Sequence, residues 1–492
     1  MPEHLSSGDL VKLKHCLAAS LLSLLSALAP SCLASAPGAA LNGRTCHLPG
    51  SEEGLRCRTL AVPLDYRQPT GPTLTLHITV APAFRESGRP DPLFVLAGGP
   101  GQAGSDVLPA LNAMFRRTRA TRDIVFIDQR GTGLSGKLDC DDDALPENLS
   151  DEEQIAAVRA CLAAIRQPLS AYTTEQAARD IEQVRLALGY QQINVWGASY
   201  GTRLGQAYAR AFPHAVRSLV LDGVAAPDQI IPAGGRDGQA ALDALFRQCA
   251  ADNGCNKAYP ALRAEFNGLL AKVSAAPVPL NLSNPRTAEP LQMNMTKERF
   301  LNTVHNVLYS ALDGRRLPFL IHSAHLGRWA PFVARRNVAS DLAGEGGTAL
   351  VLHMAVICAE DYPRMTPQLL ADDAHNSFLG GGRVGQLIEL CKSIKVPAVA
   401  WRAPSPILAP ALLLSGALDP VTPPRRAEAA ARHIPKAQHL VVANAGHGIS
   451  ALGCAPRLLR EFLDAPQKPV MAHCLNDIPA ANFQIGSAGP HP

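Results

Sequence analysis

This 492-residue chain is poor in aromatic residues, 5% of its length, and in charge, with 18% of residues charged and a formal net charge of +4. It carries no basic stripe and no interleaving of basic with aromatic side chains. The electrostatic footprint of a nucleic-acid binder is therefore missing, and no nucleic acid is expected as a partner. Cys-x-x-Cys pairs are absent, and no run of clustered ligands stands at metal spacing, so neither a metal nor a cofactor is expected. Internal repeats and low-complexity tracts are lacking as well. Beyond the N-terminus no apolar run is long enough to span a bilayer, which excludes an integral membrane span of the helical kind.

The apolar run at the N-terminus belongs to another class of element. Lys12 and Lys14 precede a stretch from Leu17 to Ala29, and small residues follow to Ala36. Positive charge, a short apolar stretch and then small residues are the pattern of a secretory signal peptide over residues 1–36, cut after Ala36 or Ala34. Its removal deletes two lysines against Glu3 and Asp9, so the net charge does not change. A secreted or periplasmic protein is the expectation. Cys32 leaves open a lipoprotein anchored there, the weaker reading because Ala29 and Pro30 suit acylation poorly. Of twelve cysteines, setting aside Cys16 and Cys32 leaves an even number, which favours disulfides in an exported chain. Pairing near neighbours gives Cys46–Cys57, Cys140–Cys161, Cys249–Cys255, Cys358–Cys391 and Cys454–Cys474, although connectivity does not follow from sequence alone.

Gly197-Ala198-Ser199-Tyr200-Gly201 is the informative motif. It separates the apolar run Ile193-Asn194-Val195-Trp196 from a helix-like segment. A serine on so tight a strand-to-helix turn projects its hydroxyl above the sheet only where the residues two before and two after are small. Such a short string arises by chance, so its partners decide. For a nucleophile on this kind of elbow the chain order is Ser, acid, His. The run Ala411 to Ser415 reads as a buried strand leading to Asp419, and Leu440-Val441-Val442 leads to His447 on a loop flanked by Gly446 and Gly448. Ser199 is then the nucleophile, His447 the general base, and Asp419 the acid that holds the imidazole tautomer. Asp222, which ends Leu219-Val220-Leu221, competes with Asp419; the latter is preferred because an acid loop shortly before the His loop is the commoner arrangement. For the oxyanion, the strand Leu93 to Leu96 leads into Gly98-Gly99-Pro100-Gly101. Pro100 has no N–H, which leaves the Gly98 or Gly99 amide together with that of Tyr200.

Four segments together, Gly98-Gly99-Pro100-Gly101, Asp128-Gln129-Arg130-Gly131-Thr132-Gly133-Leu134-Ser135, Gly197 to Thr202, and the Asp419 and His447 loops, resemble the proline iminopeptidase and tripeptidyl aminopeptidase family of α/β-hydrolase serine peptidases. Cys358-Ala359-Glu360-Asp361-Tyr362 is similar to a Cys-x-Glu/Asp element of the tripeptidyl branch. The likeness runs from about Cys57 to His447 and is thin between Pro227 and Leu350. It implies the α/β class, specifically an α/β-hydrolase fold with a mostly parallel sheet flanked by helices and a large, mainly helical cap. It also implies a serine aminopeptidase cleaving peptides near a free N-terminus through an acyl-enzyme. Ala97 stands where proline iminopeptidases commonly carry a histidine, so tripeptidyl-type release is expected over strict proline release. An exopeptidase must recognise an ammonium group, and acidic cap residues do so in this family, which points to Glu360 and Asp361. A carboxylesterase is the alternative, because it needs the same triad and only the cap separates the two. A silent binding protein fits poorly with all three triad residues present.

A pass along the chain fits this scheme. Thr59 to Leu64 and Thr73 to Val80 read as an antiparallel edge pair; Leu93 to Leu96, Ile124 to Ile127, Ile193 to Trp196, Val216 to Leu221, Leu412 to Leu414 and His439 to Val442 complete the strands. Thr174 to Leu188 has helical periodicity, with Thr173 or Thr174 as N-cap and Gly189 as the stop. Residues 37–226 and 401–492 form the expected core, 227–400 the cap, and the Pro404 to Pro410 run the return linker. Asp128 and Arg130 are expected to hold the loop beside the oxyanion glycines. His353, His433 and His439 read as packed or surface residues.

Overall fold

A computed structural model describes residues 42–49, 51–86, 88–140, 149–284, 287–341 and 347–490. The signal peptide expected over residues 1–36, with Cys16 and Cys32, lies outside the described residues. The first strands are β1 (Asn42–Cys46), β2 (Leu55–Pro63), β3 (Thr73–Ala81), β4 (Leu93–Leu96) and β5 (Ile124–Ile127). Next come β6 (Ile193–Ala198) and β7 (Val216–Asp222), then a hairpin of β8 (Val278–Ser283) and β9 (Pro290–Met295), and lastly β10 (Ala411–Gly416) and β11 (Ala437–Val442). One sheet takes nine of them in the order β1-β2-β3-β5-β4-β6-β7-β10-β11. Its first four strands pair antiparallel, and every pairing from β5 to β11 is parallel.

Alternation of side chains explains how this sheet is covered on both faces. From β4 and β6, Phe94, Leu96, Ile193 and Val195 face one apolar cluster with Ala178, Ile181 and Val184 of helix α1 (Thr174–Ala187) and Leu204 and Tyr208 of helix α2 (Tyr200–Ala211). Their neighbours Leu93, Val95 and Trp196 face the other cluster, with Phe115, Leu459, Phe462 and Leu463. A period of two along each strand places successive residues in different clusters, as a sheet buried on both sides requires. Thr173 caps α1, its side chain accepting from Gln176 N, and Gly189 follows the helix at φ +78°. That left-handed position is one that glycine takes without steric cost.

Between β7 and β10 lies the cap. Helices α3 (Gly235–Ala251), α4 (Lys297–Leu308), α5 (Leu350–Val356) and α6 (Gly382–Ser393) are among its elements. It has an apolar cluster of its own, with Leu242, Phe246, Phe266, Phe300 and Phe332, in which Phe300 stacks on Phe332 with ring centroids 5.3 Å apart. The five cysteine pairings given above are those the structure contains. Cys358–Cys391 ties the segment after α5 to α6, and Cys46–Cys57 ties β1 to β2.

Two elements differ from expectation. The pair β2 and β3 is not the sheet edge, because β1 adds outside β2; Asn42-Gly43-Arg44-Thr45-Cys46 is short and polar, and its place is fixed by pairing and a disulfide rather than by hydrophobic alternation. The cap also includes the β8–β9 hairpin, where Pro279 and Pro290 obscure a strand pattern. Among the described residues no helix is long and apolar enough to cross a membrane.

Candidate active site

The turn between β6 and α2 is held by the sheet's own packing. Ser199 has φ +53°, a left-handed backbone conformation that a residue with a Cβ rarely adopts. A Cβ on Gly201 would stand 2.1 Å from Leu96 O, and one on Gly197 would stand 2.4 Å from Gly201 O. The small residues are required because main chain lies against main chain. The strained serine is pinned on both sides: Ser199 N donates to Asp222 O at 2.9 Å, and Thr202 N and Oγ1 donate to Ser199 O.

The loops after β10 and β11 carry the partners. Asp419 Oδ2 accepts from His447 Nδ1 at 2.7 Å, and its Oδ1 accepts from Val421 N and Thr422 N. Thr422 Oγ1 donates to Asp419 Oδ2 at 2.8 Å and lies 3.0 Å from His447 Nδ1. With its proton on Nδ1, the imidazole keeps a lone pair on Nε2, the state a general base needs. The His447 loop is clamped to the cap, since His447 N donates to Tyr309 O at 2.7 Å and the Tyr309 ring meets the imidazole edge-on at 5.2 Å. Burial alone would lower the imidazole's affinity for a proton, but the Asp419 carboxylate and its hydrogen bond, with Asp222 beyond, outweigh it and raise the pKa. The same pairing outweighs burial at Asp419 and holds its carboxyl below the usual value.

Asp222 plays a different part from Asp419. Its carboxylate accepts from Ile449 N and Ser450 N, at 2.7 to 2.9 Å, and makes no hydrogen bond to the imidazole. It anchors the far side of the loop bearing His447. Ser199 and His447 meet at the end of β7: the serine amide bonds Asp222 O, and the next residue, Gly223, lies so close to the imidazole that a Cβ there would be 2.8 Å from His447 Cε1. The Ser199 hydroxyl makes no hydrogen bond with the imidazole in this arrangement; such contacts commonly close only when substrate is bound.

Ser199, Gly99 and Tyr200 line a cavity of about 200 Å³, with His305, Tyr309, His353, Arg383 and Thr422 in its wall. Gly98 is placed differently, for its N–H already donates to Gln102 Oε1 at 3.1 Å. Asp128 supports the glycine loop by accepting from Ser105 N and Leu134 N, and Gln129 Nε2 donates to Ala97 O. Arg130, expected beside them, points elsewhere. It forms a two-pronged ion pair with Asp180 of α1 and donates to Leu64 O and Ala171 O, so it fastens that helix to the sheet.

Sequence comparison bears on this geometry. Residues 91–453, well over half of the chain, match the model of the α/β hydrolase fold. The chain belongs to that family. Within it, the chain is similar to the serine protease Hip1 of Mycobacterium tuberculosis, 31% identical over 261 residues that make up 48% of this chain and 50% of the relative. It is also similar to the tripeptidyl aminopeptidase of Streptomyces coelicolor, 31% identical over 194 residues, 36% of each chain. A probable proline iminopeptidase of the same organism is 35% identical over 134 residues, 27% of this chain and 33% of the relative. The matched part thus spans half or less of these curated relatives, and this α/β-hydrolase is related to their group of serine peptidases at modest identity.

The cap carboxylates of this α/β-hydrolase differ in their surroundings. Glu360 reaches the N-terminus of α1, where Oε1 accepts from Thr174 N and Oε2 from Thr174 Oγ1, both at 2.7 Å. Thr174 Oγ1 in turn meets Tyr200 OH at 2.9 Å, linking the carboxylate to a wall of the cavity. Burial pushes the Glu360 carboxyl up, against the pull of Arg203 and the Thr174 bonds. Asp361 is fully enclosed between two guanidiniums, with Arg203 Nη1 at 3.0 Å and Arg364 Nη2 at 2.8 Å.

Four residues of the wall had no signal in the sequence. Thr422 lies three residues past Asp419, a spacing that a turn makes local. Tyr309 and His305 come from α4 and the turn after it, far away in sequence. His353 was read as packed or surface; it is half-buried, lines the cavity and bonds Pro100 O of the glycine loop through Nδ1 at 3.1 Å. Among the described residues no group of three or more His, Cys, Asp or Glu stands together as a metal would need.

Proposed function

We propose that this chain is a serine hydrolase of the aminopeptidase type, cleaving short segments from peptides with a free N-terminus. One observation supports the chemistry above others: Ser199 at φ +53° on its elbow and an imidazole oriented by Asp419 at 2.7 Å both pack against the end of β7, at Asp222 and Gly223. Ser199 Oγ attacks the scissile carbonyl carbon while its proton passes to His447 Nε2. The oxyanion that forms is met by the amides of Gly99 and Tyr200, the two of the three expected donors that line the cavity. His447 returns the proton to the leaving amine, and water then releases the acyl group by the same steps reversed.

The cap supports peptide ends over uncharged esters. Glu360 has one protein donor on each oxygen, which leaves each a further lone pair for an ammonium group. Asp361, expected to share this task, is spent on Arg203 and Arg364 and is better suited to holding the cap. Five disulfides support an exported, oxidising site of action. The test is hydrolysis of a free-amine tripeptide anilide, its N-acetylated twin, a proline anilide and a short acyl ester. Preference for the free tripeptide, abolished by acetylation, is expected. Turnover of the ester alone would reassign the protein as an esterase with the same triad.

A further inference from the structure

The cavity holds a cation that the chemistry above does not use. Arg383 is the second residue of α6 and lines the same space as Ser199, Tyr200 and Gln229. Among the described residues no carboxylate lies within ion-pair distance of it, whereas Arg203, Arg364 and Arg426 are each paired. Asp373, the acid of the same wall, is turned away to accept from Gly235 N at 3.0 Å and Arg236 N at 3.4 Å. The guanidiniums of Arg203, Arg364 and Arg426 are each tied to an acid, whereas that of Arg383 is open to the cavity.

A second group beside it is also unsatisfied. His305 is buried, lines the cavity, and its Nδ1 has no hydrogen-bond partner. Burial, helped by the charge of Arg383, pushes its pKa down to about 3, so the ring is neutral and leaves Arg383 as the charged group of this part of the wall. The α6 helix begins at this wall too, with Gly381 offering no side-chain cap to its first amides.

We infer that Arg383 is a specificity-determining residue that binds a carboxylate of the substrate, with His305 beside it in the cavity wall. The inference rests on the aminopeptidase reading. A peptide held by its ammonium at Glu360 and by a carboxylate at Arg383 would be short, as a cavity of about 200 Å³ also requires. The carboxylate has two sources, the C-terminus of a short peptide or an acidic side chain. A planar fork of N–H donors recognises either in the same way.

The experiment measures binding, so that it does not depend on turnover. In Ser199→Ala protein, calorimetry compares tetra-alanine, its C-terminal amide, and amidated peptides with one glutamate in each position in turn. The host, the double variants with Arg383→Gln and with Arg383→Lys, and their circular dichroism are measured together. Arg383 is exposed and lies outside the cap's apolar cluster, so substitution there leaves that core untouched. In the host, a carboxylate-bearing peptide is expected to bind about 10- to 100-fold more tightly than its neutral twin, the range of one charge-assisted contact. Arg383→Gln should bring that ratio near one, and Arg383→Lys should restore part of it. If the free acid alone shows the preference, the C-terminus is the source; if a glutamate amide shows it, the side chain is. Equal binding in the host of tetra-alanine, its amide and every glutamate amide, a preference unchanged in Arg383→Gln, or no binding of any of these peptides overturns the assignment. Failure of the aminopeptidase reading shows elsewhere, in the anilide and ester assay, whose substrates have no carboxylate.

Discussion

Asp361 separates the structural from the substrate-binding use of the cap acids. Its side chain is 0% exposed and that of Arg203 is 10% exposed, at 3.0 Å, with Arg364 at 2.8 Å on the other side. Ile231 N also donates to it, at 3.3 Å. Replacing Asp361 by alanine removes two charge-assisted hydrogen bonds, each worth about 1.5–3 kcal/mol. The guanidiniums are not stranded entirely, since both still donate to Gln229 O and Arg364 donates to Glu360 O as well. Breaking one side of a buried pair typically costs about 3–5 kcal/mol, and these remaining acceptors place the loss toward the lower end. Asp361→Asn keeps one acceptor and should lose roughly half as much. Urea unfolding of both variants measures this, together with kcat/KM on free-amine and N-acetylated tripeptide anilides. The expected result is a graded loss of stability, with both substrates affected alike. Wild-type stability combined with a selective loss on the free-amine substrate would refute the reasoning and make Asp361 an amine contact.

Five other perturbations test the site. Ser199→Ala should fold normally and lower kcat on the order of 10⁶-fold, measured on whichever substrate is turned over; a fully active variant would sink the mechanism. Asp419→Asn should cost about 10⁴-fold in kcat with the fold intact, whereas Asp222→Asn should act mainly on stability by weakening the grip on Ile449 N and Ser450 N; the reverse pattern would make Asp222 the acid. Because His447 acts as a base only when neutral and its pKa is raised, activity should climb with pH through a midpoint above about 6.5, the ordinary histidine value. A midpoint in the kcat/KM profile below that value would contradict the pairing. Gly201→Ala places a methyl 2.1 Å from Leu96 O, an overlap with main chain that should cost at least about 3 kcal/mol and show as insoluble or strongly destabilised protein.

How much of this was legible beforehand follows from how local each signal is. The elbow and the Asp419 turn follow β6 and β10, short strands of buried residues that can be read without the fold, and the His447 loop follows the apolar run Leu440 to Val442 and is marked by its flanking glycines. The disulfides were legible for the same reason, since each joins cysteines close in sequence, the widest separation being 33 residues. Arg130 was misplaced because a motif shows that a residue belongs to a loop but not where a long side chain points. Arg130 reaches Asp180, fifty positions on, and Tyr66 OH completes the cluster from before β3. The cavity wall was illegible on other grounds. His305, Tyr309, His353 and Arg383 come from three separate cap segments, whose helices show the apolar spacing of their own core and give no sign of what the opposite side faces.

The contacts between cap and glycine loop have a mechanical consequence. Ala349 N donates to Gly101 O at 2.9 Å, His353 Nδ1 bonds Pro100 O at 3.1 Å, and a Cβ on Gly101 would stand 2.8 Å from Ala349 O. The loop bearing Gly99, the proposed oxyanion donor, is therefore held by the start of α5, and the imidazole loop is held by Tyr309 of the cap through its carbonyl. Both the oxyanion donor and the base take part of their position from the insertion. A rigid sheet supplies the serine, since its strained turn is fixed by the core's own main chain and Thr202, while the groups that must meet the reacting carbonyl and proton are set by where the cap sits. Trimming the cap to widen the entrance should thus lower kcat as well as change KM, because it loosens the donor and base along with the walls. A cap-shortened variant that still unfolds cooperatively tests this on a small ester that needs no cap contact. Unchanged kcat on that ester would show that the core alone positions the reaction.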